Sequence, residues 1–235
     1  MNVAVINDSL RVAKKILKEV ELYADYNKTR EQTLTSDKFS EEFFRISQKD
    51  DYEEIYRVAM KNMDFDYVLL DDSIFQFSCR LVDGRVERGT IRYAFYESPR
   101  KIITYEEFLL QNDLFIDEDD GAFIDYYEQE KSEAALKNTV TPIRYDYDYG
   151  LFQPIHHPIS HMHIGHNNQV RIPINKIISP AKFVVFVLRN VYPKLWKEAF
   201  YREQFKSLCL AAKNSCSDLD FNHFNEEEKR LLFLS

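Results

Sequence analysis

Between Phe65 and Tyr96 apolar residues recur at every second position on both sides of Asp83-Gly84. Phe65, Tyr67 and Leu69 alternate, and Phe75, Phe77, Cys79 and Leu81 repeat the pattern. Asp-Gly supplies two residues that accept positive φ, which a two-residue antiparallel turn demands. The return run, Val86 to Tyr96, carries Ile91, Tyr93 and Phe95 on one face. The polar face holds Arg80, Arg88 and Arg92, a local basic stripe. This segment is therefore expected to be an antiparallel meander of about three strands, with no helix between Ser73 and Leu81.

On either side the period changes from two to three-and-four. Leu10, Ala13, Leu17, Val20 and Ala24 form a helical stripe after possible N-caps at Asn7, Asp8 and Ser9. A helix near Ser36 carries Phe39, Phe43 and Ile46, and another starts at Asp50, where Asp50 and Glu53 have capping-box spacing. Thr104 and Glu107 repeat that spacing, and a further helix is expected from about Ala122 to Lys137. From Pro142 three strands follow: Ile143–Tyr149, Ile159–Ile164 and Val170–Ile174, the last two joined by a tight turn at Asn167-Asn168.

Ser179-Pro180 then opens a helix with serine at the N-cap and proline at the first helical position. Phe183 to Leu188 is apolar on nearly every face, so it should be the most buried helical segment, with Phe186 among its anchors. Pro193 ends or kinks it. One amphipathic helix runs on through Trp196, Phe200, Phe205 and Leu208, and Asn225 with Glu228 caps a last short helix. The whole reads as a single α+β domain, 1–235. Residues 1–63 are helical, 64–178 mostly an antiparallel sheet of about five or six strands, and 179–235 helical. The N-terminal helices and the Phe183 helix would cover the sheet.

Composition narrows the function classes. A net charge of −8 argues against a surface that coats nucleic acid broadly but leaves room for a local basic groove. Cys79, Cys209 and Cys216 are odd in number and include no C-x-x-C pair, which suits a reducing compartment and indicates neither a disulfide framework nor a cysteine zinc site. No apolar stretch reaches the ~18 residues of a membrane span, and Met1–Ile6 lacks the features of a signal peptide, so a cytoplasmic protein is expected. The acidic run Asp117 to Asp120 fails the spacing of a calcium loop and reads as a solvated surface loop.

The chemistry-bearing region lies between Arg144 and Arg171. Five of the six histidines, His156, His157, His161, His163 and His166, fall within eleven residues. His161 and His163 are two apart on a strand and leave the same face. A two-residue turn at Asn167-Asn168 would set His163 opposite Ile172 and His161 opposite Ile174. Upstream, alternation in Arg144–Tyr149 sends Asp146 and Asp148 to one face and the tyrosines to the other.

If these strands pair, His161, His163, Asp146 and Asp148 form an N/O ligand set for a divalent metal, zinc or manganese. The same groups would serve metal-free acid–base catalysis. Arg144 and Arg171 are the candidate phosphate contacts. A purely structural role, with histidines and aspartates bonded to one another at a sheet edge, explains the cluster equally well. For His156, His157 and His166 it explains more.

His161-x-His163-x-Gly165-His166 approximates two known histidine signatures, but Gly165 stands where one needs an aspartate and breaks the alternation of the other. Phosphate-binding, nucleophile-elbow and zincin motifs are missing. The run Arg144-Tyr145-Asp146-Tyr147-Asp148 is followed by His161-x-His163-x-Gly165 and then Arg171-Ile172-Pro173. Ser179-Pro180 and a Phe-rich helix closing on Tyr192-Pro193 complete the pattern.

Together these resemble an uncharacterised bacterial family, domain of unknown function 2290, over most of the chain and most densely from Pro142 to Pro193. The resemblance implies a bacterial cytoplasmic protein from mobile or defence-related loci; it brings no activity or catalytic residue.

Two functions fit these observations. One is a phosphodiester-cleaving hydrolase, nuclease-like and in a toxin or phage-defence setting, with nucleic acid bound at the basic patch. The other is a non-catalytic binding or regulatory subunit working with a protein partner encoded nearby, which the abundance of Tyr and Phe suits.

Overall fold

The computed structural model describes residues 1–24, 38–48, 51–114, 121–166, 170–224 and 226–232. Its helices are α1 (Val3–Glu19), α2 (Glu41–Ser47), α3 (Tyr52–Lys61), α4 (Tyr105–Gln111), α5 (Ile124–Glu133), α6 (Pro180–Val191), α7 (Pro193–Phe200), α8 (Glu203–Asn214) and α9 (Glu226–Leu232). Its strands are β1 (Tyr67–Val68), β2 (Ile74–Ser78), β3 (Leu81–Val82), β4 (Arg85–Val86), β5 (Thr90–Tyr96), β6 (Ile143–Asp148), β7 (Ser160–Ile164), β8 (Ile172–Pro173), β9 (Lys176–Ile177) and β10 (Ser217–Asp218). The fold is α+β, built on a six-stranded sheet in the order β1-β2-β5-β6-β7-β8 with antiparallel pairing throughout.

The expected meander is present. Asp83 and Gly84 both adopt positive φ, 49° and 72°, and join β3 to β4 at the tip of the β2–β5 hairpin. A second tight point follows at Gly89, φ 68°, where a Cβ would lie 2.1 Å from that of Tyr149. The Gly89 carbonyl accepts a bond from the Tyr149 amide at 3.2 Å, so the start of β5 and the end of β6 meet backbone to backbone. Gly89→Ala is expected to cost at least ~2 kcal/mol, combining left-handed strain with the clash. Urea denaturation checks it; a loss under about 0.5 kcal/mol would show that the contact opens freely.

The sheet's two faces bury different layers. One face carries Phe75, Phe77, Tyr93, Phe95, Tyr145 and Met162 into the main core. There α6 packs, flanked by α1 and α8. The Phe183 ring stands 5.7 Å from Tyr93 and 6.1 Å from Phe75. Phe183, Val184, Val187 and Leu188 are at most 1% exposed, but Phe186 is only partly buried, so the expected anchor role falls to Phe183. The start of α6 is as expected, Ser179 Oγ accepting from the Lys182 amide. On the opposite face α2 and α3 bury Ile74 and Val68 under Phe39, Phe43 and Ile55 and reach Tyr96 at the end of β5.

Several element boundaries move for identifiable reasons. α1 begins at Val3, because Asn2 caps it by accepting from the Val5 amide, while Ser9 inside the helix accepts from the Ala181 amide. α2 is capped by Ser40, and α3 by Asp51 accepting from the Glu54 amide. The expected starts at Ser36 and Asp50 lie outside the described residues, as do the Asn167-Asn168 turn, the acidic run and Asn225.

The Thr104–Glu107 capping box forms in full. α5 is shorter than expected: Leu136 pairs with Arg100 as an isolated bridge, and the Lys137 amide donates to the Pro99 carbonyl. The single helix expected after Pro193 is two, α7 and α8. They separate at Arg202, whose guanidinium donates to the Glu19 carbonyl at the end of α1.

Candidate functional site

The half-open face of the sheet collects the polar residues of the central strands. Antiparallel partners project to the same side, so the pairings lay out rows across it. In one row Ser78 pairs with Arg92, Arg92 with Asp146, Asp146 with His161 and His161 with Pro173. In the next, Gln76 pairs with Ala94, Ala94 with Arg144 and Arg144 with His163. The histidine register differs from expectation by one residue: His161 faces Pro173, and Met162 faces Ile172. The β6–β7 register, with Met162 opposite Tyr145, sends Met162 into the core and both imidazoles to the polar face; a slip of one residue there would exchange the faces.

Asp146, His161 and His163 converge, each offering one ligand atom within 4.8 Å of the others. The His161 and His163 Nε2 atoms are 3.0 Å apart, and His163 Nε2 lies 3.3 Å from Asp146 Oδ2. His161 Nδ1 is 2.7 Å from the Pro158 carbonyl, which can only accept. This fixes the proton on Nδ1 and leaves the His161 Nε2 lone pair aimed at the centre of the group. Lone pairs from three atoms cannot face one another at these distances unaided. A proton on His163 or a cation must lie among them.

Burial and charge tune the group. Burial, with the neighbouring His163, lowers the His161 pKa to about 4 and keeps that ring neutral. Burial pushes the Asp146 carboxyl upward, but the His163 hydrogen bond and the Arg144, His163 and Arg92 charges outweigh it and hold its pKa below the usual value. Arg144 Nε donates to Asp146 Oδ2 at 3.0 Å, and Arg92 lies 4.0 Å from Oδ1.

Not every candidate residue joins the group. Asp148 is spent elsewhere, on Arg92 at 3.0 Å and on the turn amides of Gly150 and Leu151, because its register partner is Thr90 and no histidine. Arg171 is half-buried and lies one residue before β8, the strand paired with β7. His156 is exposed, and His166 packs on the Tyr52 ring at 5.4 Å.

Two residues come closer to the group than the sequence suggested. Arg92, read only as part of a basic stripe, is the register partner of Asp146. His157, read as a loop residue, sets its ring 4.9 Å from that of His161, with Nδ1 buried and no hydrogen-bond partner among the described residues. A tight turn places it: Gln153 and His157 exchange backbone bonds around Ile155, whose φ is 69° and whose amide donates to Glu228 of α9. A β-branched residue at positive φ is strained. Alternation of polar and apolar residues cannot reveal such a turn.

Beside the trio a cleft of about 580 Å³ opens over β2, β5 and β6. Arg80, Arg88, Arg92 and Arg144 line it, together with aromatic residues of α2 and the end of β6. Among the described residues no helix is long and apolar enough to cross a membrane.

A family model described as "Uncharacterized conserved protein (DUF2290)" matches residues 17–234. No curated protein and no solved structure matches the chain. The matched stretch includes the histidine pair, Asp146 and all four arginines of the cleft, in agreement with a resemblance read over most of the sequence, and the chain belongs to the DUF2290 family of uncharacterised conserved proteins.

Proposed function

We propose that this chain is a metal-dependent phosphodiester hydrolase, with Asp146, His161 and His163 holding one divalent cation, zinc or manganese. The observation that carries the reading is the spacing of the three donors. Two of the three separations, 3.0 and 3.3 Å, are close to the ~3.3 Å expected between neighbouring ligands with ~2 Å metal–ligand bonds, and all three ligand atoms lie within 4.8 Å of one another. The Pro158 carbonyl and the Arg144 guanidinium orient His161 and Asp146, as outer partners do at metal centres. Three protein ligands would leave a position for water, and a cation held there would supply Lewis-acid activation of that water near neutral pH.

The rest falls to the chain's own groups. Arg92 and Arg144 keep more than half of their side chains exposed, so donors remain for a phosphoryl group after the bonds to Asp146 and Asp148. Hydrolysis joins the water oxygen to phosphorus and breaks one P–O ester bond, the leaving oxygen taking up a proton. The fixed guanidiniums would stabilise the charge that builds on the phosphoryl oxygens.

The test is metal analysis of protein purified without a histidine tag, paired with hydrolysis of bis(p-nitrophenyl) phosphate. One equivalent of metal per chain is expected, lost together with hydrolysis in Asp146→Asn. Tag-free protein that takes up neither zinc nor manganese would overturn the reading.

A second reading is favoured by burial: His161 is 1% and His163 7% exposed. A group so enclosed also suits a closed polar network, or a structural metal, in a non-catalytic binding subunit. In that case metal removal or Asp146→Asn would lower the melting temperature and no hydrolysis would be found at any metal loading.

A further inference from the structure

We infer that the cleft over β2, β5 and β6 binds an unpaired stretch of nucleic acid and brings its backbone beside the trio; this names the substrate class of the hydrolase proposed above and rests on that reading. Charge is the first ground. The chain carries a net charge of −8, yet four arginines line this one cleft. Glu87 and Asp148 are the acidic residues among the lining groups, and Asp146 lies beneath Arg92 and Arg144. Arg80 meets Glu87 at 3.2 Å, with 72% of its own side chain exposed. The cleft therefore keeps a positive balance where an anion can reach it, and guanidiniums are matched to phosphate oxygens in pairs.

Shape is the second ground. Ala94 sits between Gln76 and Arg144 in one row across the sheet, and all three line the cleft, Ala94 contributing only a methyl group. Phe44 of α2 is 40% exposed and Tyr149 at the end of β6 is 51% exposed, and both line the cleft. Exposed rings beside guanidiniums are the elements that stack bases and track a backbone in single-strand sites. A duplex is read by a helix or ribbon that protrudes into a groove, and this surface is recessed. A stacking ring also needs a base face free of its neighbours, which an unpaired strand provides.

Position is the third ground. Arg144 lines the cleft and bonds Asp146, which is 3.3 Å from His163. A phosphate held by Arg92 and Arg144 therefore lies against the trio, while the neighbouring nucleotides extend toward Arg80 and Arg88.

Fluorescence anisotropy tests this with the full chain in EDTA, which separates binding from cleavage. The probes are labelled oligothymidylate, oligouridylate of the same length and a mixed-sequence duplex. At least one single strand should bind about tenfold or more tightly than the duplex, with a salt dependence that falls by about one unit in log–log slope when Arg88 is replaced by alanine. Phe44→Ala should weaken single-strand binding by roughly 5- to 100-fold. Circular dichroism and the melting temperature show that both surface variants are folded.

Preference between the two oligonucleotides identifies DNA or RNA as the source. Duplex binding equal to single-strand binding, or single-strand binding untouched by Arg88→Ala and Phe44→Ala, would overturn the inference. So would no binding by a protein that takes up metal and hydrolyses bis(p-nitrophenyl) phosphate, and in that case the hydrolase reading stands. Single-strand binding by a protein that takes up no metal supports the cleft and removes the hydrolase.

Discussion

His161→Ala is expected to remove the bound metal and lower phosphodiester hydrolysis by roughly 10²- to 10⁴-fold, the range lost with a positioned catalytic group. The chain should stay folded. His161 contributes one ring, bonded through Nδ1 to the Pro158 carbonyl and through Nε2 to His163. Its loss leaves Asp146 paired with His163 and Arg144, so no carboxylate is stranded. The stability cost should then be about 1–3 kcal/mol, for an unsatisfied buried carbonyl and the space of one ring.

His163→Ala takes away the neighbour of both remaining ligands and should be at least as damaging to metal uptake. The measurement is metal content per chain beside the melting curve. A His161→Ala protein that retains a full equivalent of metal would sink the assignment. His161→Gln separates the roles. It can rebuild a bond to Pro158 without an imidazole, so it should recover stability but not metal or activity, whereas a purely structural histidine would be rescued in full.

Phe183→Ala should cost about 3–5 kcal/mol, a large share of the ~5–15 kcal/mol that holds a typical domain together. The ring is 0% exposed and lies in a cluster with Phe75, Phe77 and Tyr93, at centroid distances of 5.7 to 6.3 Å. Three strand residues on two strands and a helix meet there, so the void cannot collapse without moving α6 off the sheet. Phe186→Ala serves as the internal comparison: it lies on the same helix but only partly buried, and it should cost clearly less. Chemical denaturation of both variants gives the difference, and a Phe183→Ala loss under about 1 kcal/mol would place α6 at the periphery.

The sequence by itself determined the features whose cause is local. Asp83-Gly84 fixes a hairpin because few other residue pairs accept positive φ twice in succession. Thr104 with Glu107, and Ser179 with Pro180, mark helix starts because the cap is made within one turn of chain. Period-two alternation places His161 with His163 on one face, and Asp146 on the face away from the tyrosines, whatever surrounds them.

Only the tertiary structure decided what those faces meet. β6 lies between β5 and β7, and the register that buries Tyr145 and Met162 brings Asp146 to His161 and leaves Asp148 opposite Thr90. The same packing made Arg92 a neighbour of the group and set His157 against His161 through a turn held by Glu228 from α9. Short-range spacing sets the direction of a side chain. Its partner is chosen by burial of apolar surface across segments distant in sequence, and no window of alternating residues contains that choice.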